Sequence, residues 1–228
     1  MFRSRLTMLA ILILVFASAV CAQPPTTSAA DFLRSVVGDW VGTYEHAIDD
    51  EPAEDTYFKV VVKQIDQNSY TSQFTYLRTN PATGNPEQDG TALVKSTIEP
   101  DGSVKNIITG EGRILVEGKP KQQTYSLTEA LSSSGCGLVG NLGGKISVTG
   151  LPFGAGKNGS INDGISAWTV DGNVLTIEQS LKARFKVLMF SKSYCLTACS
   201  KATRGTDVAA LMKRARIAEG PADTIPGG

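Results

Sequence analysis

From Trp40 onward, apolar and polar side chains alternate in short runs with a period of two, the pattern of strands that bury one face. The runs Trp40–His46, Tyr57–Ile65, Tyr70–Leu77, Thr91–Ile98, Ser103–Thr109, Arg113–Glu117, Gln122–Thr128 and Ala183–Ser191 are read as strands. Pro100-Asp101-Gly102 and Asp171-Gly172-Asn173 are turn sequences, because proline presets φ and glycine tolerates positive values. Tight turns between consecutive strands make neighbours antiparallel, and such sheets end as a sandwich or close into a barrel without edges.

Two segments have helical spacing instead. Ala29, Phe32, Leu33, Val36 and Val37 line one face of a short helix over Ala29–Val37, with Ser28 or Asp31 as its cap. Val208, Leu211, Met212 and Ala215 share a face over Thr206–Ile217, and Lys213, Arg214 and Arg216 suit its C-terminal end. Three further stretches interrupt the strands. Asp49–Asp55 packs five acids around Pro52 and reads as a solvated loop, since it lacks the glycine and terminal glutamate of a calcium loop. Thr79–Asp89 is expected to be a long connection, and Ser132–Gly164, rich in glycine and serine, to be a lid or a surface excursion. The tail 219–228 reads as disordered, and no internal repeat is present.

The first twenty-two residues change the compartment. Arg3 and Arg5 precede an apolar run from Leu6 to Val20, and Val20-Cys21-Ala22 offers small residues for cleavage. That is the form of a secretory signal peptide, its run shorter than the about 20 residues a membrane span needs. A secreted or periplasmic protein is expected, one domain over 23–218, with no transmembrane segment in the mature chain. The 22 basic and 22 acidic residues balance; without Arg3 and Arg5 the remainder carries a formal charge of −2. Such a chain has no electrostatic footprint for nucleic acid. Its 41% hydrophobic content and 23 glycines suit a turn-rich globular protein.

Candidate chemistry is sparse. Cys136, Cys195 and Cys199 remain after the leader, so one disulfide among them is expected in an oxidising compartment, Cys136 with either of the others. Cys195 and Cys199 can pair only if the intervening residues turn tightly, because four extended residues span about 13 Å. His46 is the only histidine, so neither a zinc site nor a serine triad is expected. Gly154-Ala155-Gly156-Lys157-Asn158 fails as a phosphate loop: Leu151 stands where the first glycine belongs and Asn158 where serine or threonine belongs.

A short helix followed by Gly38-Asp39-Trp40-Val41-Gly42 entering the first long strand resembles the Gly-x-Trp opening of the lipocalin and wider calycin superfamily, and the Gly-x-Trp-x-Gly opening of nitrobindin-like bacterial barrels. The resemblance implies an all-β fold: an antiparallel up-and-down lipocalin-like β-barrel of about eight to ten strands, with a short N-terminal helix and a C-terminal helix. It implies that the Trp40 indole plugs one end of the barrel, and that a late basic residue packs over it, for which Arg184 is the candidate. Nitrobindin-like proteins hold haem through a late histidine, which this chain lacks. The implied function is the binding of a small apolar or amphipathic molecule without catalysis, with Trp40 and Tyr44 touching the ligand and Trp40 rather than Trp168 reporting on it. No cofactor is specified. A filled barrel acting as an envelope scaffold is the alternative, and a barrel hydrolase or isomerase a third.

Overall fold

In the computed structural model, residues 27–49, 56–80, 82–116, 119–149, 158–187 and 190–219 are described. Helix α1 (Ala29–Ser35) leads into ten strands: β1 (Gly38–Ile48), β2 (Thr56–Gln64), β3 (Ser69–Thr79), β4 (Pro86–Ile98), β5 (Val104–Val116), β6 (Lys119–Ser134), β7 (Gly137–Val148), β8 (Asn158–Asp171), β9 (Val174–Val187) and β10 (Phe190–Arg204). Helix α2 (Val208–Glu219) follows. Each strand pairs antiparallel with its sequence neighbours, and β1 pairs with β10, so the sheet closes into an up-and-down barrel. The expected fold class is the observed one.

The period-two pattern sorts side chains between the interior and the outside. Along β6, Leu127, Glu129 and Leu131 are buried while Ser126, Thr128 and Ala130 are exposed. The cap of α1 is Ser28, whose Oγ accepts from the Asp31 N–H at 3.1 Å and donates to Asp31 Oδ2 at 2.6 Å. The turn after β4 has Gly102 at φ +80, and Asp101 Oδ1 accepts from the Ser103 N–H at 2.9 Å. Helix α2 begins after Asp207, which accepts from the Ala210 N–H at 2.9 Å. It lies on the outside of the barrel, where Val208 and Met212 cover Val41 and Tyr57.

Several expectations need correction. Ser103–Thr109 and Arg113–Glu117 form one strand, β5; its glycines do not break it, because the Tyr125 ring of β6 lies where a Gly110 Cβ would stand. Most of Ser132–Gly164 is also strand: it holds the end of β6, all of β7 and the start of β8. Its glycines are sites of close approach, a Cβ on Gly140 running into the Ala130 carbonyl of β6. The long connection Thr79–Asp89 shortens because β4 starts at Pro86, where the missing N–H of a first strand residue costs nothing. Ala183–Ser191 is divided between the end of β9 and the start of β10.

The three described cysteines, Cys136, Cys195 and Cys199, are all free. Cys199 is level with Val139 of β7 through the pairings Cys199↔Glu178, Glu178↔Ala167 and Ala167↔Val139, and Cys136 lies a further three residues along, in the β6–β7 turn. Three strand spacings alone are about 14 Å, beyond the about 7 Å a disulfide spans. Cys195 and Cys199 sit on one straight strand with no turn between them. Of the acidic stretch, Asp49 is described: it continues the ladder, its Oδ1 accepting from the Cys195 N–H at 2.8 Å. Residues 50–55, the leader 1–22, the tail beyond Glu219 and the glycine-lysine sequence 154–157 lie outside the described residues. Among the described residues no group of His, Cys, Asp and Glu could hold a metal ion.

Candidate functional site: the barrel interior

The barrel has two unlike ends. At the first, α1 packs Phe32, Leu33 and Val36 into the interior together with Trp40, Val60, Val104, Leu131, Leu138 and Leu175, all buried. Trp40 has no exposed surface, and its Nε1–H donates to the Val36 carbonyl at 2.8 Å. The basic residue over the indole is Arg204, not Arg184. Arg204 is the cross-strand partner of Trp40, with its guanidinium carbon 4.4 Å from the ring centroid. Its Nη1 donates to the Val37 carbonyl at 2.9 Å and its Nη2 to the Ser35 carbonyl, so one cation takes up carbonyls left open at the C-terminal end of α1. Gly38 has φ +131, which strains any other residue, and a Cβ there would stand 2.9 Å from Arg204 Nη1, so the guanidinium would have to shift. Arg184 is an exposed residue on the outer face of β9.

Beyond this plug the interior holds a cavity of about 120 Å³ to which all ten strands contribute side chains. At about 30 Å³ per water this is room for about four waters, so a ligand larger than one aromatic ring extends into its opening. One wall is aromatic. Tyr44 of β1 stacks on His46 with centroids 5.3 Å apart and meets Tyr76 of β3 at 5.3 Å, while Tyr76 stacks on Phe74 at 6.2 Å. The opposite wall is aliphatic, with Ile146, Ile161, Ile177, Leu181 and Leu196. Trp168 of β8 also lines it, its Nε1–H donating to Ser166 Oγ at 3.2 Å.

Three phenols meet at this cavity. Tyr125 of β6 hydrogen-bonds Tyr76, and it fits because Gly110 opposite carries no side chain. Burial pushes the Tyr125 phenol up to about 12. Burial also raises Tyr44 and Tyr76 well above the ordinary phenol range, and the neighbouring phenols push the same way. All three are therefore neutral near pH 7, able both to donate and to accept. Near the outer end of the cavity, a register shift at Tyr76/Leu77 leaves Asp89 as the extra residue of β4. Asp89 Oδ1 lies 3.0 Å from Arg113 Nε and 3.3 Å from Arg78 Nε, and Arg78 also pairs with Glu87 at 3.2 Å, so these charges cancel in pairs.

Of the two residues expected to touch a ligand, Tyr44 lines the cavity and Trp40 does not. The indole that does line it is Trp168. Tyr76, Tyr125, Asp89 and Arg113 were not singled out from the sequence. The tyrosines carried a usable signal, since each sits at an inward position of an alternating strand; Asp89 did not, because its direction is set by a bulge.

The strands thus form a closed antiparallel barrel of ten, entered through Gly38-Asp39-Trp40 and with the Arg204 guanidinium over the indole. Among solved structures the chain is similar to Rv2717c from M. tuberculosis, 13% identical, with 78% of this chain and 99% of that one covered at a TM-score of 0.46. It is also similar to the S-type phycobiliprotein lyase CPES from Guillardia theta, 8% identical, with 79% and 94% covered at 0.39. No family model and no curated protein matches the chain.

Proposed function

We propose that this protein is an exported carrier that holds one small, partly apolar molecule inside its barrel and does not transform it. The observation that carries the reading is the cavity itself: apolar walls drawn from every strand, with neutral phenol donors converging on one side. A concave, mostly apolar site with a few placed polar groups is the usual form of a small-molecule site. The volume favours a ligand built on a single small ring or short chain over a sterol or a tetrapyrrole. Export rests on the basic and apolar leader of residues 1–22.

Trp168 supplies the test. In a Trp40→Phe variant it is the remaining tryptophan, and titration with small aromatic and aliphatic alcohols, acids and amines is expected to shift its emission with micromolar midpoints. The reading fails if no compound changes Trp168 emission below about 100 μM and a ligand-soaked crystal shows the interior occupied only by side chains. A filled-barrel scaffold is the second reading, favoured by how much of the interior the apolar core already occupies. It predicts the same silence in titrations together with capture of a protein partner.

A further inference from the structure

Between the plug and the cavity lies a polar layer. One register row across four adjacent strands, Tyr70↔Ser96, Ser96↔Asn106 and Asn106↔Glu129, places four polar side chains in the interior. Glu129 has no exposed surface, and Tyr70 and Asn106 are 1% and 2% exposed. Each oxygen of Glu129 accepts from a neutral amide: Oε2 from Asn106 Nδ2 at 2.7 Å, and Oε1 from Gln179 Nε2 at 2.9 Å, the latter reaching across the interior from β9. Acceptance at both oxygens is the pattern of an ionised carboxylate, yet among the described residues no cationic side chain pairs with it. Burying such a charge with neutral partners only is costly.

The same layer leaves two further oxygens without partners, Asn106 Oδ1 and the Tyr70 hydroxyl. Asn106 Oδ1 lacks a donor, the Tyr70 hydroxyl is free to accept or to donate, and Glu129 lacks a cation. A primary ammonium has three donors, no acceptor and the missing charge. Gln179 connects this layer to the ligand site, because it lines the cavity while its amide is bonded to Glu129. Above it stand Trp168, Tyr44, Tyr76 and Phe74, rings that suit an aromatic or apolar body and whose faces attract a cation.

We propose that the cavity selects a small primary amine with an aromatic or apolar body, its ammonium directed to Glu129 and taking the place of the Gln179 amide at Oε1. At the outer end Asp89 and Glu87 offset Arg113 and Arg78, whereas no cationic side chain among the described residues pairs with Glu129. This inference rests on the carrier reading above and specifies its ligand.

The test uses three probes with one body, 2-phenylethylamine, 2-phenylethanol and 3-phenylpropionate, titrated into the folded protein by calorimetry at low salt. The amine is expected to bind at least about tenfold more tightly than the alcohol, the scale of one charge-assisted contact in place of a neutral one. Glu129→Gln is expected to bring the amine to the level of the alcohol and leave the alcohol unchanged, and Tyr70→Phe to weaken the amine alone by about threefold. Should Glu129→Gln not fold, the comparison of amine with alcohol in the unaltered protein decides by itself. Equal binding of the two, tighter binding of the propionate, or an amine preference that survives Glu129→Gln overturns the inference. If the alcohol binds without any amine preference, the carrier reading stands and the amine is wrong; if none of the three binds while other compounds shift Trp168, the outcome is the same. Silence from every compound removes both, and waters on Asn106 Oδ1 would then account for the orphaned oxygens.

Discussion

The two ends of the interior are built from the same kinds of residue and put them to opposite uses. At the plug, the Trp40 indole is enclosed, its N–H is spent on a main-chain carbonyl and its face is covered by Arg204. In the cavity, Trp168 and three tyrosines are packed from one side and left with space on the other. The Trp40 N–H and the Arg204 guanidinium of the plug are matched within the chain, whereas the layer beneath the cavity keeps two oxygens without partners. Side chains satisfied by their own chain contribute to stability; side chains left incomplete are available to a ligand.

The largest consequence of this contrast is in stability. Trp40→Ala is expected to cost about 3–5 kcal/mol, the range for removing a large core aromatic, while Tyr44→Phe at the cavity costs less than about 1 kcal/mol. Urea midpoints of the two variants measure the gap. A loss below about 1 kcal/mol for Trp40→Ala would mean that the plug does not hold the barrel together.

A smaller effect separates the ends by pH. The Tyr125 phenol is held up to about 12 against an ordinary value of 10.0. Below about pH 10 both folded and unfolded chains keep this proton and stability is level; above it the unfolded chain loses the proton first, so stability falls as pH rises toward 12. The loss is on the order of 2 kcal/mol for Tyr125, at about 1.4 kcal/mol per unit, and Tyr44 and Tyr76 add to it in the same direction. Denaturation at pH 9 and pH 11.5 should show it, with a shallower decline in Tyr125→Phe. Equal declines in the two proteins would place the alkaline sensitivity outside the cavity.

The smallest expected effect concerns the lock on the plug. Arg204 is exposed apart from its contact with the ring and the helix carbonyls, so Arg204→Ala is expected to cost about 1 kcal/mol by thermal melting. Arg184→Ala, on the outer face, is expected to change nothing measurable. If the two variants cost the same, the guanidinium over Trp40 has no role in holding the end shut.

How much of this was readable in the chain follows from which forces act locally. Alternation and turn chemistry are local, and they located β1 to β6 while leaving a sandwich and a barrel both open; the Gly-x-Trp resemblance pointed to the barrel. Gly38 and Trp40 marked the plug because a tight entry followed by a large ring leaves a compact signature. Arg204 was missed for Arg184 because the partner of Trp40 is fixed by the β1–β10 register, a property of two segments at opposite ends of the chain. The glycines of Ser132–Gly164 misled in the other direction. In isolation they suggest a loop, yet Gly140 stays in a strand because the neighbouring backbone comes too close for any side chain. The polar layer was hidden for a related reason: Asn106, Glu129 and Gln179 lie on three separate strands and look like ordinary surface residues until the barrel closes over them.

That closure also governs the order in which the molecule can be made. Arg204 bonds to a carbonyl 167 residues earlier, so the seam between β1 and β10 forms only when nearly the whole chain is present. Hairpins from β2 to β9 can assemble as neighbours arrive, but until β10 docks the sheet has two raw edges and Trp40 has no cover. Contacts of such long range slow folding and leave the unfinished chain open to edge-to-edge pairing with other molecules. The arginine over the indole is thus a mark of completion: a chain that stops before it has every residue of the plug except the one that shows the barrel is shut.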